Sequence, residues 1–131
     1  MIVLDASALV ELLLATERGR TISERISDPS ISLHVPHLAD VEVVQVLRAY
    51  VRDGELDRGS ALSALEGLRS LDLERHPHEP LLDRVWALRE NVTASDAVYV
   101  ALAEALQTKL VTCDGALARA PGMSRLVQHV S

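Results

Sequence analysis

The sequence predicts an α/β fold, a mostly parallel central β-sheet with helices on both faces, in one domain spanning residues 1–131. Three observations carry this. The chain opens on Ile2-Val3-Leu4, an apolar run that ends at Asp5 and passes directly into the helix-like stretch Ala8-Leu9-Val10-Glu11-Leu12-Leu13-Leu14. Continuous apolar runs of this kind mark strands buried on both faces, which belong to parallel sheets. A matching run, Lys109-Leu110-Val111-Thr112, ends at Asp114-Gly115, and between the two, strand-like segments alternate with helical ones. The length suits one core rather than two.

Each element has a local reason. Ser7 can cap the first helix, which runs to about Ala15, and Thr16-Glu17 opens a polar second helix to Ser27. Asp28-Pro29-Ser30 is a turn, and Ile31–Val35 a second strand. Pro36 precedes a long helix, from His37 or Ala39 to Asp53, closed by Gly54. Asp57 caps a helix through Leu68, with Leu62, Leu65 and Leu68 at core or interface spacing. Leu71-Asp72-Leu73-Glu74 alternates like a strand with one wet side. Pro80 starts a helix through Trp86 to Glu90, and Thr93 caps the next, Ala94 to Leu106. After the Lys109–Thr112 strand, a short helix and an Arg125-Leu126-Val127 strand complete the chain.

Composition narrows the function. Phe is absent, and Trp86, Tyr50 and Tyr99 are the only aromatics, so the core is aliphatic and there are few platforms on which bases could stack. A net charge of −6 argues against a nucleic-acid partner unless a cation neutralises some of the acids locally. The lone Cys113 excludes an internal disulfide and fits a reducing cytosol. Ile2–Leu14 is too short and acidic to span a membrane and lacks the basic start of a signal peptide. A cytoplasmic protein without membrane association is expected.

The acids give the sharper signal. Asp5 and Asp114 stand at carboxyl ends of strands; Asp96 lies in the first turn of a nearly apolar helix; Glu42 lies near the start of another, among Leu38, Val41, Val43, Val44, Val46 and Leu47. In βαβ topology strand ends and helix starts share one edge of the sheet. Singly, each has a plain explanation: a cap for Asp5, the helix dipole for Asp96, a turn for Asp114-Gly115. Glu42 resists one, because an acid among valines and leucines is rarely buried without a partner. Convergence of all four would make an oxygen-only cation site, suited to Mg²⁺ or Mn²⁺ rather than zinc. Ser7 and Thr112 could hold the carboxylates in place, and Arg48, Arg84 and Arg89 could contact phosphates, although a solvated helix face explains those arginines as well. The histidines suggest nothing comparable: His34, His37 and His129 carry no constellation, and His76-Pro77-His78 reads as a loop.

The order of these segments resembles a known family. The strand ending in Asp5-Ala6-Ser7, the stretch Pro36-His37-Leu38 leading to Glu42 and Val46-Leu47-Arg48, the run Thr93-Ala94-Ser95-Asp96-Ala97-Val98-Tyr99, and Leu110-Val111-Thr112-Cys113-Asp114 together look like a PIN domain of the small VapC toxin type. The resemblance covers essentially the whole chain and implies a metal-dependent endoribonuclease that hydrolyses RNA. Asp5, Glu42, Asp96 and Asp114 would take the family's acidic positions as catalytic residues and metal ligands. Mg²⁺, with Mn²⁺ as a substitute, a cognate VapB-type antitoxin and a homodimer are implied with it. Gln45 stands where family members often carry Asn, and Gly115-Ala116-Leu117 supplies no further acid, so one metal position is expected and a second is left open. A receiver-like phosphoacceptor domain would need adjacent acids after the first strand and a late lysine beside the site. Here Ala6 follows Asp5 and Lys109 precedes its strand. A catalytically inactive PIN-fold interaction module is the other alternative, which the retention of all four acids disfavours.

Overall fold

A computed structural model describes all of residues 1–131. Five strands, β1 (Ile2–Leu4), β2 (Leu33–Pro36), β3 (Leu73–His76), β4 (Leu110–Thr112) and β5 (Val127–His129), form one sheet in the order β3-β2-β1-β4-β5, and every pairing is parallel. The α-helices are α1 (Ala6–Leu13), α2 (Glu17–Arg25), α3 (Leu38–Arg52), α4 (Arg58–Ser70), α5 (Leu82–Ala87), α6 (Ala94–Leu106) and α7 (Gly115–Ala118). The expected fold class is therefore borne out. From β1 the chain steps outward through β2 to β3, then returns across the sheet to β4 and β5. Because parallel crossovers are right-handed, this reversal puts α1–α4 on one face and α5–α7 on the other. The turning point lies between β1 and β4, where open parallel sheets form their ligand crevice.

Several boundaries differ from the sequence expectation, each for a tertiary reason. The third strand is Leu73–His76 rather than Leu71–Glu74, since pairing with β2 selects its residues: Leu33 lies against Leu73 and Pro36 against His76. The second strand accordingly begins at Leu33, and His76 is strand, not loop. The helix expected from Pro80 to Glu90 is a 3₁₀ turn, Glu79–Leu81, running into the short α5. The last strand is Val127–His129, carried past Leu126 by its register with β4.

Helix α6 shows how composition becomes position. Every residue from Ala97 to Ala103 is buried, because the helix lies between the sheet and α5, and only an apolar surface all round suits that place. Leu4, Leu9, Ile22, Val35, Val43 and Leu110 fill the remaining core at 0% exposure, each contributing roughly 1.5–3 kcal/mol by leaving water. In α4, Leu68 belongs to this core while Leu62 is exposed. Gly19 lets α2 lie directly on α1, since a Cβ there would sit 1.9 Å from the carbonyl oxygen of Glu11. Gly54, at φ +74°, ends α3 in the left-handed conformation expected of it. No helix is long and apolar enough to cross a membrane.

Candidate active site

Asp5 leaves β1 at the turning point of the sheet and is 6% exposed. Its Oδ1 accepts hydrogen bonds from the Ser7 hydroxyl at 2.6 Å and the Ala8 N–H at 2.9 Å, and its Oδ2 accepts one from the Thr112 hydroxyl. Of the two expected candidates, Asp5 and Ser7, Asp5 is thus the one that takes the N-cap role of α1. Ser7 lies inside the first turn, because its hydroxyl is taken up between Asp5 and β4: it accepts the Cys113 N–H at 2.9 Å and sits 3.2 Å from the Thr112 hydroxyl. Thr112, fully buried, also accepts the Asp114 N–H at 2.9 Å. The ends of β1 and β4 are therefore stitched together through Ser7 and Thr112, and Asp114 leaves this seam to cap α7, accepting the Ala116 N–H at 2.9 Å.

Two more acids come from helix starts. Thr93 caps α6 by accepting the Asp96 N–H at 3.2 Å, which places Asp96 in the first turn. Glu42, half-buried on α3, accepts a hydrogen bond from the Tyr99 hydroxyl at 2.5 Å. The four carboxylates feel one another. Burial, and beyond it the charge of Asp114, pushes the pKa of Asp5 up against the lowering effect of its three donors. Burial raises Glu42, with Asp96 and Asp5 adding repulsion, and burial with Asp114 raises Asp96. Each acid is thus within electrostatic reach of another, at the edge of the sheet where strands end and helices begin.

A PIN domain model matches residues 2–123. The ribonuclease VapC12 of Mycobacterium tuberculosis is 38% identical over 131 residues, all of both chains. VapC1 of the same organism is 43% identical over 122 residues, which span 92% of this chain and 91% of that one. The chain belongs to the VapC ribonucleases of the PIN-domain family. Among solved structures, a toxin–antitoxin complex from Klebsiella pneumoniae shares the fold at a TM-score of 0.67 and 16% identity, covering 100% of this chain and 98% of that one.

Within this PIN domain, Tyr99 is a site residue that the sequence did not single out. It follows Asp96 by three positions, so both lie on the same face of α6. That spacing was the available signal, but an aromatic residue on an apolar helix reads as core. Tyr99 is core as well, at 2% exposure; burial and the neighbouring Glu42 raise its pKa far enough to keep the phenol protonated as a donor. Arg18 was also missed. It reaches the end of β4, donating to the Cys113 carbonyl at 3.5 Å while paired with Glu11. The arginines singled out from sequence lie differently. Arg84 pairs with Glu104 at 3.0 Å, about 12 Å along α6 from Asp96. Arg89 lies over the Trp86 ring, 4.4 Å from its centre, and Arg48 is exposed on α3. None of the three is hydrogen-bonded or ion-paired to the four acids.

Proposed function

We propose that this chain is the toxin of a toxin–antitoxin pair and cleaves RNA at this crevice with a divalent cation, Mg²⁺ or Mn²⁺, held by Asp5, Glu42, Asp96 and Asp114. The observation that carries it is shared: burial raises the proton affinity of three of the four carboxylates, and the charge of another of the four adds to each. With Asp5 buried and Glu42 and Asp96 half-buried, a cation would offset both the burial and the repulsion. The fit favours hard cations, since the donors are carboxylate oxygens and the one nearby sulfur, Cys113, is buried with its pKa raised. When bound, the cation would supply an activated water and neutralise charge on the phosphoryl oxygens.

The chain's own residues do the rest. Ser7 and Thr112 fix both oxygens of Asp5, so that side of the crevice is ordered in advance. Tyr99 orients Glu42, leaving its second oxygen available. No covalent nucleophile is needed. Arg48, Arg84 and Arg89 are exposed enough to meet phosphates, although Arg84 and Arg89 would first leave Glu104 and Trp86. The decisive experiment incubates purified protein with RNA. Cleavage is expected with Mg²⁺ or Mn²⁺ and is expected to disappear with chelator or in Asp96→Asn; persistence in both would overturn the reading.

A partner belongs to the same proposal, supported by the fold shared with the Klebsiella complex. An apolar groove of about 360 Å³ between α3 and α4, lined by Val44, Leu47, Val51 and Leu65 and flanked by Arg48 and Arg52, suits an apolar, acidic segment of an antitoxin. A second copy of this chain would find Leu82 and Trp86, one helical turn apart on α5 and both exposed. That pair is the proposed homodimer contact.

A further inference from the structure

A second cluster lies away from the four acids, on β2 and β3. In the linear sequence its members stand apart, and His34 has no visible constellation. Strand register assembles them: His34 lies against Glu74, and Pro36 against His76. Alternation along each strand then puts His34, Glu74 and His76 on one face of the sheet, and Ser32, just before β2, reaches His34 there. His34 Nδ1 is 2.9 Å from His76 Nε2 and 3.5 Å from a Glu74 carboxylate oxygen. All three donor atoms lie within 4.8 Å of one another.

We propose that His34, His76 and Glu74 form a transition-metal site, with Zn²⁺ the fitting ion and water in the fourth position. Two imidazole nitrogens on one tetrahedral zinc are about 3.3 Å apart, so the present pair needs to open by only a few tenths of an ångström. The orientation of His34 is set from behind, its Nε2 lying 2.8 Å from the Ser32 hydroxyl. A hydroxyl that accepts the Nε2 proton leaves the Nδ1 lone pair for the ion, the arrangement usual behind ligating histidines. His34 is buried, at 4% exposure, while Glu74 is open to solvent and provides the route of entry. Two nitrogens and one oxygen select zinc over Mg²⁺, whereas the four-acid crevice selects the reverse. Occupancy would pin the edge strand β3 to β2, from whose end α3 departs carrying Glu42. The competing explanation is a plain His–His hydrogen bond with Glu74 idle.

Zinc titration of the full-length protein by calorimetry, in excess Mg²⁺ to engage the acids, separates the two. Wild type and Asp96→Asn should each take one Zn²⁺ at this site and gain thermal stability from it. His76→Asn and Glu74→Gln should bind at least about tenfold more weakly and gain none. Co²⁺ in place of zinc should show the intense visible bands of a tetrahedral site in wild type and lose them in His76→Asn. His34→Asn is avoided because it disturbs the core, while Glu74 is exposed and its variant tests the site even if His76→Asn unfolds. Zinc binding that is absent, unchanged in both variants, or lost in Asp96→Asn instead would overturn the proposal. The readout is binding, so its failure leaves the ribonuclease reading untouched.

Discussion

Replacing Tyr99 by Phe removes one hydroxyl from the crevice and leaves the ring's packing in place. In the wild type that hydroxyl donates to Glu42 at 2.5 Å from a residue 2% exposed. A hydrogen bond to a charged group contributes about 1.5–3 kcal/mol. Glu42 keeps partial access to water, which can replace the lost donor, so the lower end, about 1.5 kcal/mol, is expected. Over 131 residues the unfolding entropy makes 1 kcal/mol worth about 4 °C, giving a fall in Tm of about 6 °C. A double-mutant cycle with Glu42→Gln should return a coupling of about 1 kcal/mol, since the two groups touch. The hydroxyl also opposes burial by lowering the proton affinity of Glu42, so its loss raises that pKa further. The acid limb of the pH–rate profile should therefore move to higher pH in Tyr99→Phe. Melting curves and RNA cleavage across pH decide it. A lowered Tm with no coupling to Glu42→Gln and no movement of the acid limb would refute the positioning role and leave Tyr99 as core packing.

Other outcomes follow from the same geometry. Asp96→Asn removes a charge repelled by Asp114 while keeping shape, so it should melt a few degrees higher than wild type in chelator and gain less on adding Mg²⁺; a lower melt in chelator would make Asp96 a structural acid. Asp5, Glu42 and Asp96 all have folded pKa values above their unfolded ones, so the native state binds the extra protons and metal-free stability falls as pH rises through that window. The exposed caps Asp28 and Asp57 have lowered values and act in the opposite sense, so the test is the difference between wild type and Asp96→Asn in denaturant, which should grow from about pH 4 upward by at most about 1.4 kcal/mol per unit. Trp86→Glu, at a position 68% exposed, should convert a dimer to a monomer in sedimentation and lose the dependence of Tm on protein concentration; a monomeric wild type would remove the dimer proposal.

What could be read from the chain was what local chemistry determines. Thr93 as a cap, α6 over Ala94–Leu106 and the arrest of α3 at Gly54 follow from residues within a turn of each other. The parallel sheet followed from Ile2-Val3-Leu4 and Leu110-Val111-Thr112, buried on both faces. What escaped depends on which distant segments meet. Both Asp5 and Ser7 can cap a helix, and the choice between them is made by Thr112 and Cys113 more than a hundred positions away. Tyr99 finds Glu42 across 57 positions, and His34 finds His76 across 42 through a strand register that no local pattern encodes. Strand order, likewise invisible, is what places Asp5 beside the seam that carries Asp114.

Helices α1 and α6 both begin at the crevice, α1 on Asp5 and α6 one turn before Asp96. The positive ends of their dipoles therefore face the carboxylates, each offsetting roughly 0.3–1 kcal/mol of their repulsion before any ion arrives. Together with the donors on Asp5, these dipoles favour the charged forms of the acids at this edge of the sheet. On the proposed function, this edge would need no refolding when an antitoxin lets go, because its shape is set by bonds within the chain.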